Sequence, residues 1–94
     1  MKLSRTALIV LRTFLQRSGE KLYGYDIMQV AGVSSGTLYP LLLKLENEGF
    51  LTSMWERVEP RDEGRPRRRL YRLTASGQAL AMRDLTSLSF GAAA

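Results

Sequence analysis

At 94 residues, with 45% apolar and 24% charged positions, the chain has the size and composition of one globular domain, small enough that a dimer partner would help to bury its core. It contains no cysteine and no histidine, which excludes disulfides and thiolate metal sites and removes the commonest general base and metal ligand. The formal net charge is +5, the nine acidic residues are scattered, and no apolar run reaches the roughly 18 residues that would span a bilayer, so the composition points to a polyanion partner and away from an enzyme, a cofactor, a metal or a membrane.

Met1 is followed by an amphipathic segment, not by a basic stretch and a continuous apolar core. No signal peptide is expected, and a reducing cytoplasm suits the absence of cysteine. Residues 3–17 read as a first helix, with Leu3, Ala7, Val10, Leu11 and Phe14 at helical spacing. Leu8, Ile9 and Leu15 widen its apolar stripe beyond one core face, and Ser18-Gly19 should stop it. A second, short helix is expected from about Tyr25 to Ala31, with Ile27, Val30 and Ala31 on one face. Gly32 ends it, and Gly32-Val33-Ser34 makes a tight turn.

The next stretch, "SSGTLYPLLLKLENEGFL" (34–51), predicts a third helix. Leu38, Leu41, Leu42 and Leu45 follow the spacing of one buried face, and Gly49 suits a left-handed cap. With Thr37 as N-cap, Pro40 falls in the first turn, where its missing N–H costs nothing. With Ser34 or Ser35 as cap, it lies deeper and should bend the helix. Residues alone leave both readings open.

Leu51 to Val58 and Arg68 to Thr74 are strand-like. Between them, "EPRDEGRPRR" (59–68) predicts a long, basic, extended hairpin tip. From Arg57 to Arg72 there are seven arginines and no lysine, against Glu59, Asp62 and Glu63, a local net charge of +4. Arginine is the better fork for phosphates and base edges. Thr74 is the expected N-cap of a last helix, whose apolar stripe is Ala81, Leu85 and Leu88. The order is helix, helix, turn, helix, hairpin, helix. It predicts a mostly α fold with a two-stranded β wing: a winged helix-turn-helix over residues 1–74, then a short dimerising helix and tail over 75–94. In that geometry the leucine face holds the third helix to the core. Its first-turn hydroxyls, on Ser34, Ser35, Thr37 and Tyr39, face DNA at the positive end of the helix dipole.

Three segments, "LYGYDI" (22–27), "SGTLYPLLLKLENEGFL" (35–51) and "GRPRRRLYRLTASG" (64–77), resemble the PadR family of transcriptional regulators and cover about half of the chain. The resemblance implies a dimeric, usually repressive winged-helix protein. It implies that Ser35, Thr37, Tyr39 and Lys44 face DNA, that Tyr23 and Tyr25 sit by the backbone at the start of the second helix, and that Arg65, Arg67 and Arg68 lie on the wing. The last helix would pack on the first helix and on its dimer mate, with Leu8, Leu15, Ala81, Leu85 and Leu88 at the interface. The C-terminal region is shorter than the large helical domain of longer members, which argues against a big effector cavity.

"GRPR" (64–67) also matches the core of an AT-hook, whose arginines enter narrow A·T minor grooves. Tyr39 has two readings, a DNA contact or packing on the wing. Trp55 is expected in the core or an interface, and Met28, Met54 and Met82 as core filler. Tyr71 and Leu73 are expected to point inward. The combined expectation is a cytoplasmic, sequence-specific regulator, most simply a dimeric repressor on an inverted-repeat operator in double-stranded DNA, any effector being left open. The rival readings are a winged-helix protein-interaction module and a ligand-independent plasmid or phage accessory DNA-binding protein.

Overall fold

The computed structural model describes the backbone of residues 3–17 and 20–93, and the side chains of those residues as far as Asp84. The elements run α1 (Arg5–Gln16), β1 (Leu22–Tyr23), α2 (Gly24–Ala31), α3 (Ser35–Asn47), β2 (Leu51–Trp55), α4 (Pro60–Glu63), β3 (Arg69–Leu73) and α5 (Ala75–Ala93).

Ser4 caps α1, its Oγ accepting the Ala7 N–H at 3.1 Å. Ala7, Val10, Leu11 and Phe14 are buried on one face, as their spacing requires. The expected Ser18-Gly19 stop lies outside the described residues. In α2, Asp26 accepts the Tyr23 N–H at 3.3 Å, which satisfies one donor at the helix start. Gly32 closes the helix in the left-handed conformation, at φ 69°.

Ser34 is the N-cap of α3, so Pro40 lies inside the helix. Its ring nitrogen cannot donate to the Gly36 carbonyl one turn back. Gly36 is exposed, so water can take that acceptor, and the first turn closes instead through Thr37 and Leu38 N–H on the Ser34 carbonyl, at 3.2 and 2.9 Å. The C-terminal end is a Schellman closure. Phe50 N–H reaches the Leu45 carbonyl at 2.9 Å and Gly49 N–H reaches that of Glu46 at 3.0 Å, with Gly49 at φ 83°.

Leu38, Leu42 and Leu45 of α3 meet Val10, Leu11 and Phe14 of α1, together with Leu22, Ile27, Leu51, Tyr71 and Ala81. Val10, Leu11, Ile27, Leu38, Leu42 and Leu45 are fully buried, each worth about 1.5–3 kcal/mol of hydrophobic stabilisation. Tyr71 is buried as expected, and Leu73 is half-buried.

The sheet has three strands, not two, in the order β1-β3-β2, all antiparallel. Leu22 pairs with Tyr71 and Tyr23 with Leu70. A strand of two residues is too short to show alternation, and only its pairing with β3 defines it. The hairpin tip is not extended throughout. Pro60 opens the single helical turn α4, and Gly64, left-handed at φ 66°, ends it. Met54 and Met82, expected as core filler, lie outside at 40% and 54% exposure, and Trp55, expected in the core or an interface, is 59% exposed within the single chain. The Trp55 ring meets the Arg69 guanidinium across the hairpin, at 4.9 Å, and not the core. Met28 is half-buried against the core.

Where β3 turns into α5, Thr74 Oγ1 accepts the Gly77 N–H at 3.0 Å and donates to the Gly49 carbonyl at 2.6 Å. This capping residue thereby ties α5 to the end of α3. Gly77 is buried, and a Cβ there would stand 2.0 Å from the Phe50 carbonyl oxygen. Gly77→Ala should therefore cost roughly 1–3 kcal/mol, because backbone must move to admit the methyl. A chemical melt of the variant checks this, and a midpoint equal to wild type would refute the close approach. Among the described residues no helix is long and apolar enough to cross a membrane.

Candidate nucleic-acid interface

The leucine face of α3 is turned into the core, which leaves its N-terminal end open. Ser34, Ser35, Gly36 and Thr37 are all exposed, as is Lys44 further along. The Ser34 hydroxyl donates to Thr37 Oγ1 at 3.3 Å and makes no cap bond to the backbone. First-turn N–H groups, hydroxyls and the positive end of the helix dipole are thus presented together. Leu43 also stands on this open face, 58% exposed, and the sequence reading missed it. The signal was there, because "LLL" (41–43) holds one leucine more than a single buried face accepts.

Tyr39 is 45% exposed, and its ring lies over the start of α2. A Cβ on Gly24 would come within 2.5 Å of the Tyr39 hydroxyl oxygen, so the glycine makes room for the ring. Tyr25, 63% exposed, stands one residue further on. Tyr23 is turned differently. Its hydroxyl donates to Glu56 Oε2 at 3.0 Å, and the Arg68 guanidinium stacks over its ring at 5.0 Å.

Glu56 is the organising residue of the wing, and nothing in the sequence reading singled it out. It is buried, at 6% exposure, directly after β2. Its carboxylate accepts from the Arg65 guanidinium, from the Arg68 N–H at 2.9 Å and from the Tyr23 hydroxyl. One carboxylate therefore joins the hairpin tip, the strand leading back from it and the start of α2. The Arg65 contact, reinforced by the Arg68 N–H and the Tyr23 hydroxyl, holds the Glu56 carboxyl down to about 2, well below its ordinary 4.5. The same contact with Glu56 raises the Tyr23 phenol above its usual value.

The three wing arginines expected to act alike are consequently unlike. Arg65 is turned inward onto Glu56, with Glu63 also 3.9 Å away. Arg67 rests its Nε on the Val58 carbonyl at 2.8 Å and keeps the rest of its fork outward. Arg68 lies on Tyr23. Among the described residues neither Arg67 nor Arg68 has a carboxylate within ion-pair reach of its side chain. A second carboxylate, Glu46 of α3, ties the other flank: it accepts from the Ser53 hydroxyl and lies 3.9 Å from Arg69, whose guanidinium stacks on Trp55 at 4.9 Å.

At the expected dimer surface, Ala81 is fully buried within the single chain, so its methyl is unavailable to a partner. Leu8 and Leu15 are half-buried. The side chains of Leu85 and Leu88 lie outside the described residues.

A three-helix core that presents α3 beside a hairpin wing defines a winged helix-turn-helix protein. Residues 13–83 match the model of the transcriptional regulator PadR-like family, and the chain belongs to that family, which is one of regulators and not of enzymes. Among solved structures, a PadR-like transcription factor from Bacteroides fragilis is 29% identical, over 90% of this chain and 84% of that one, with a TM-score of 0.71. The smu.1704 protein of Streptococcus mutans is 32% identical, over 96% and 85% of the two chains, with the same TM-score. PadR of Bacillus subtilis, solved in complex with operator DNA, is 24% identical over 84% of this chain and 46% of its own, at a TM-score of 0.69, a likeness of fold. No curated protein matches the chain significantly.

Proposed function

We propose that this chain is a sequence-specific regulator that binds double-stranded DNA in the cytoplasm, as a homodimer and a repressor, by occupying an inverted-repeat operator. The observation that carries the reading is the placement of the polar end of α3, open to solvent, beside a wing that offers Arg67 and Arg68 without an acidic partner among the described residues. In this reading Ser34, Ser35, Thr37, Tyr39 and Lys44 meet base edges and phosphates in the major groove. Tyr25 lies beside the backbone, while Tyr23 acts through Arg68, which it holds. Arg67 and Arg68 contact phosphate or minor groove, and Arg65 anchors the wing. Residues 1–74 form the DNA-binding unit and 75–94 dimerise, with Leu8, Leu15, Leu85 and Leu88 buried between copies. The operator complex of the Bacillus subtilis relative supports this use of the fold.

The test is footprinting on the DNA around the protein's own gene, with a salt titration on duplex and single-stranded probes. The expected result is a protected inverted repeat, with half-sites about 10 bp apart or a multiple of that, and a steep salt dependence on duplex alone. Binding that is indifferent to salt and to strandedness would favour the rival reading, a wing that docks an acidic protein.

A further inference from the structure

The sheet has a second face that the core does not use. Leu51, Tyr71 and Leu73 turn to the core and Ser53 reaches Glu46 of α3, so the alternate residues point to the opposite side. There Thr52 pairs with Arg72 and Met54 with Leu70 across the hairpin, and Lys21 stands directly before β1. These five side chains, over a floor of Ser53 and Tyr71 backbone, surround a partly enclosed pocket of about 250 Å³. We propose that this pocket binds a small organic anion, a compact aliphatic body that carries one oxyanion group, either a carboxylate or a phosphate monoester. The proposal is independent of the DNA-binding reading, because the pocket lies on the face of the sheet turned away from α3.

Charge selects an anion. Lys21 and Arg72 both line the pocket, no acidic residue lines it, and among the described residues neither cation has a carboxylate in ion-pair reach. An arginine fork takes two oxygens of one carboxylate or phosphate, a lysine adds a point charge, and the exposed Thr52 beside Arg72 adds a hydroxyl. The walls select the body. Leu70 is half-buried and Met54 is 40% exposed, two apolar side chains side by side on a face that the core leaves uncovered. Both are aliphatic, and the flexible thioether of methionine adapts to an alkyl chain. The Tyr71 ring, the one aromatic group among the lining residues, belongs to the core, so no ring is offered for stacking. Size sets the limit. A cavity of roughly 150 Å³ holds the six carbons of benzene, so this pocket suits about six carbons and a head group. Apolar walls with a few convergent polar groups are the usual make-up of a small-molecule site.

The test needs no DNA. Hexanoate and hexyl phosphate are titrated separately into the intact, isotope-labelled chain, with hexanol and hexylammonium as neutral and cationic counterparts, and amide chemical shifts are followed. The expected result is a saturable shift centred on Lys21, Thr52, Met54, Leu70 and Arg72 with at least one of the two anions, and little or none with the alcohol or the ammonium. The tighter of the two anions tells carboxylate from phosphate. Lys21→Ala and Arg72→Ala change exposed side chains, so the rest of the spectrum should stay as in wild type, and each should weaken the bound anion about tenfold, the loss of one charge-assisted contact. Three results would each overturn the proposal: no saturable shift at these amides with either anion, hexanol bound as tightly as the anions, or affinity unchanged in both variants.

Discussion

Replacing Glu56 by alanine should release the wing from the rest of the domain. The variant loses the acceptor shared by the Arg65 guanidinium, the Arg68 N–H and the Tyr23 hydroxyl, and Arg65 is left half-buried without its partner. Two effects are expected together: a lower melting temperature, and rapid tryptic cleavage in the segment from Arg65 to Arg68, which is protected while the tip is held. The pH dependence follows from the depressed carboxyl. Its value is about 2 in the folded chain against an ordinary 4.5, so the unfolded chain binds the proton more readily. The stabilisation is therefore complete above about pH 4.5 and disappears as pH falls from there through about 2. Glu56→Gln, which cannot ionise, lacks this increment. Urea melts of wild type and Glu56→Gln between pH 7 and 2 should converge as the solution becomes acid. Parallel curves across that window would show that Glu56 is not the charge that holds the wing.

The second large effect separates reading from holding. Thr37→Ala and Tyr39→Phe should each weaken binding to the operator by roughly 1–3 kcal/mol and leave random DNA nearly untouched, because base-edge contacts carry sequence preference. The double variant Arg67→Ala/Arg68→Ala should weaken binding to both DNAs and flatten the salt slope by up to about two units, close to one per lost phosphate contact. Arg65→Ala behaves differently from either. Its charge is already matched by Glu56, so the slope stays near wild type while the wing becomes protease-sensitive. Salt titrations of all four proteins on operator and random duplex separate the three behaviours. A double variant with an unchanged slope would remove the wing from the DNA contact.

Most of the fold was legible because its signals are local. The leucines of α3, the apolar face of α1, Gly32, Gly49 and the Thr74 cap each act within a turn or two of the chain, and each is found where its spacing placed it. The same holds for the exposed hydroxyls at the start of α3, since a face that is not buried by leucine has only solvent to meet. The family resemblance rested on local segments too, residues 22–27, 35–51 and 64–77, and the family match covers all three.

What the sequence could not supply depends on partners far along the chain. β1 exists only through its pairing with β3, and Glu56 looks like any lone acid in a basic stretch until folding brings Tyr23 and Arg65 to it. Arginines three residues apart share one charge and one composition, yet Arg65 is half-buried against an acid and Arg68 lies on an aromatic ring. Trp55 carries the largest apolar side chain in the sequence, which argued for the core or an interface, but within the chain it is exposed and stacks on the Arg69 guanidinium. Residue type and periodicity determined which faces are apolar and where helices begin and end, because those depend on neighbours one turn away. Which charges remain free to meet a partner was decided by tertiary structure alone, because an ion pair depends on distance in space and not on separation along the chain.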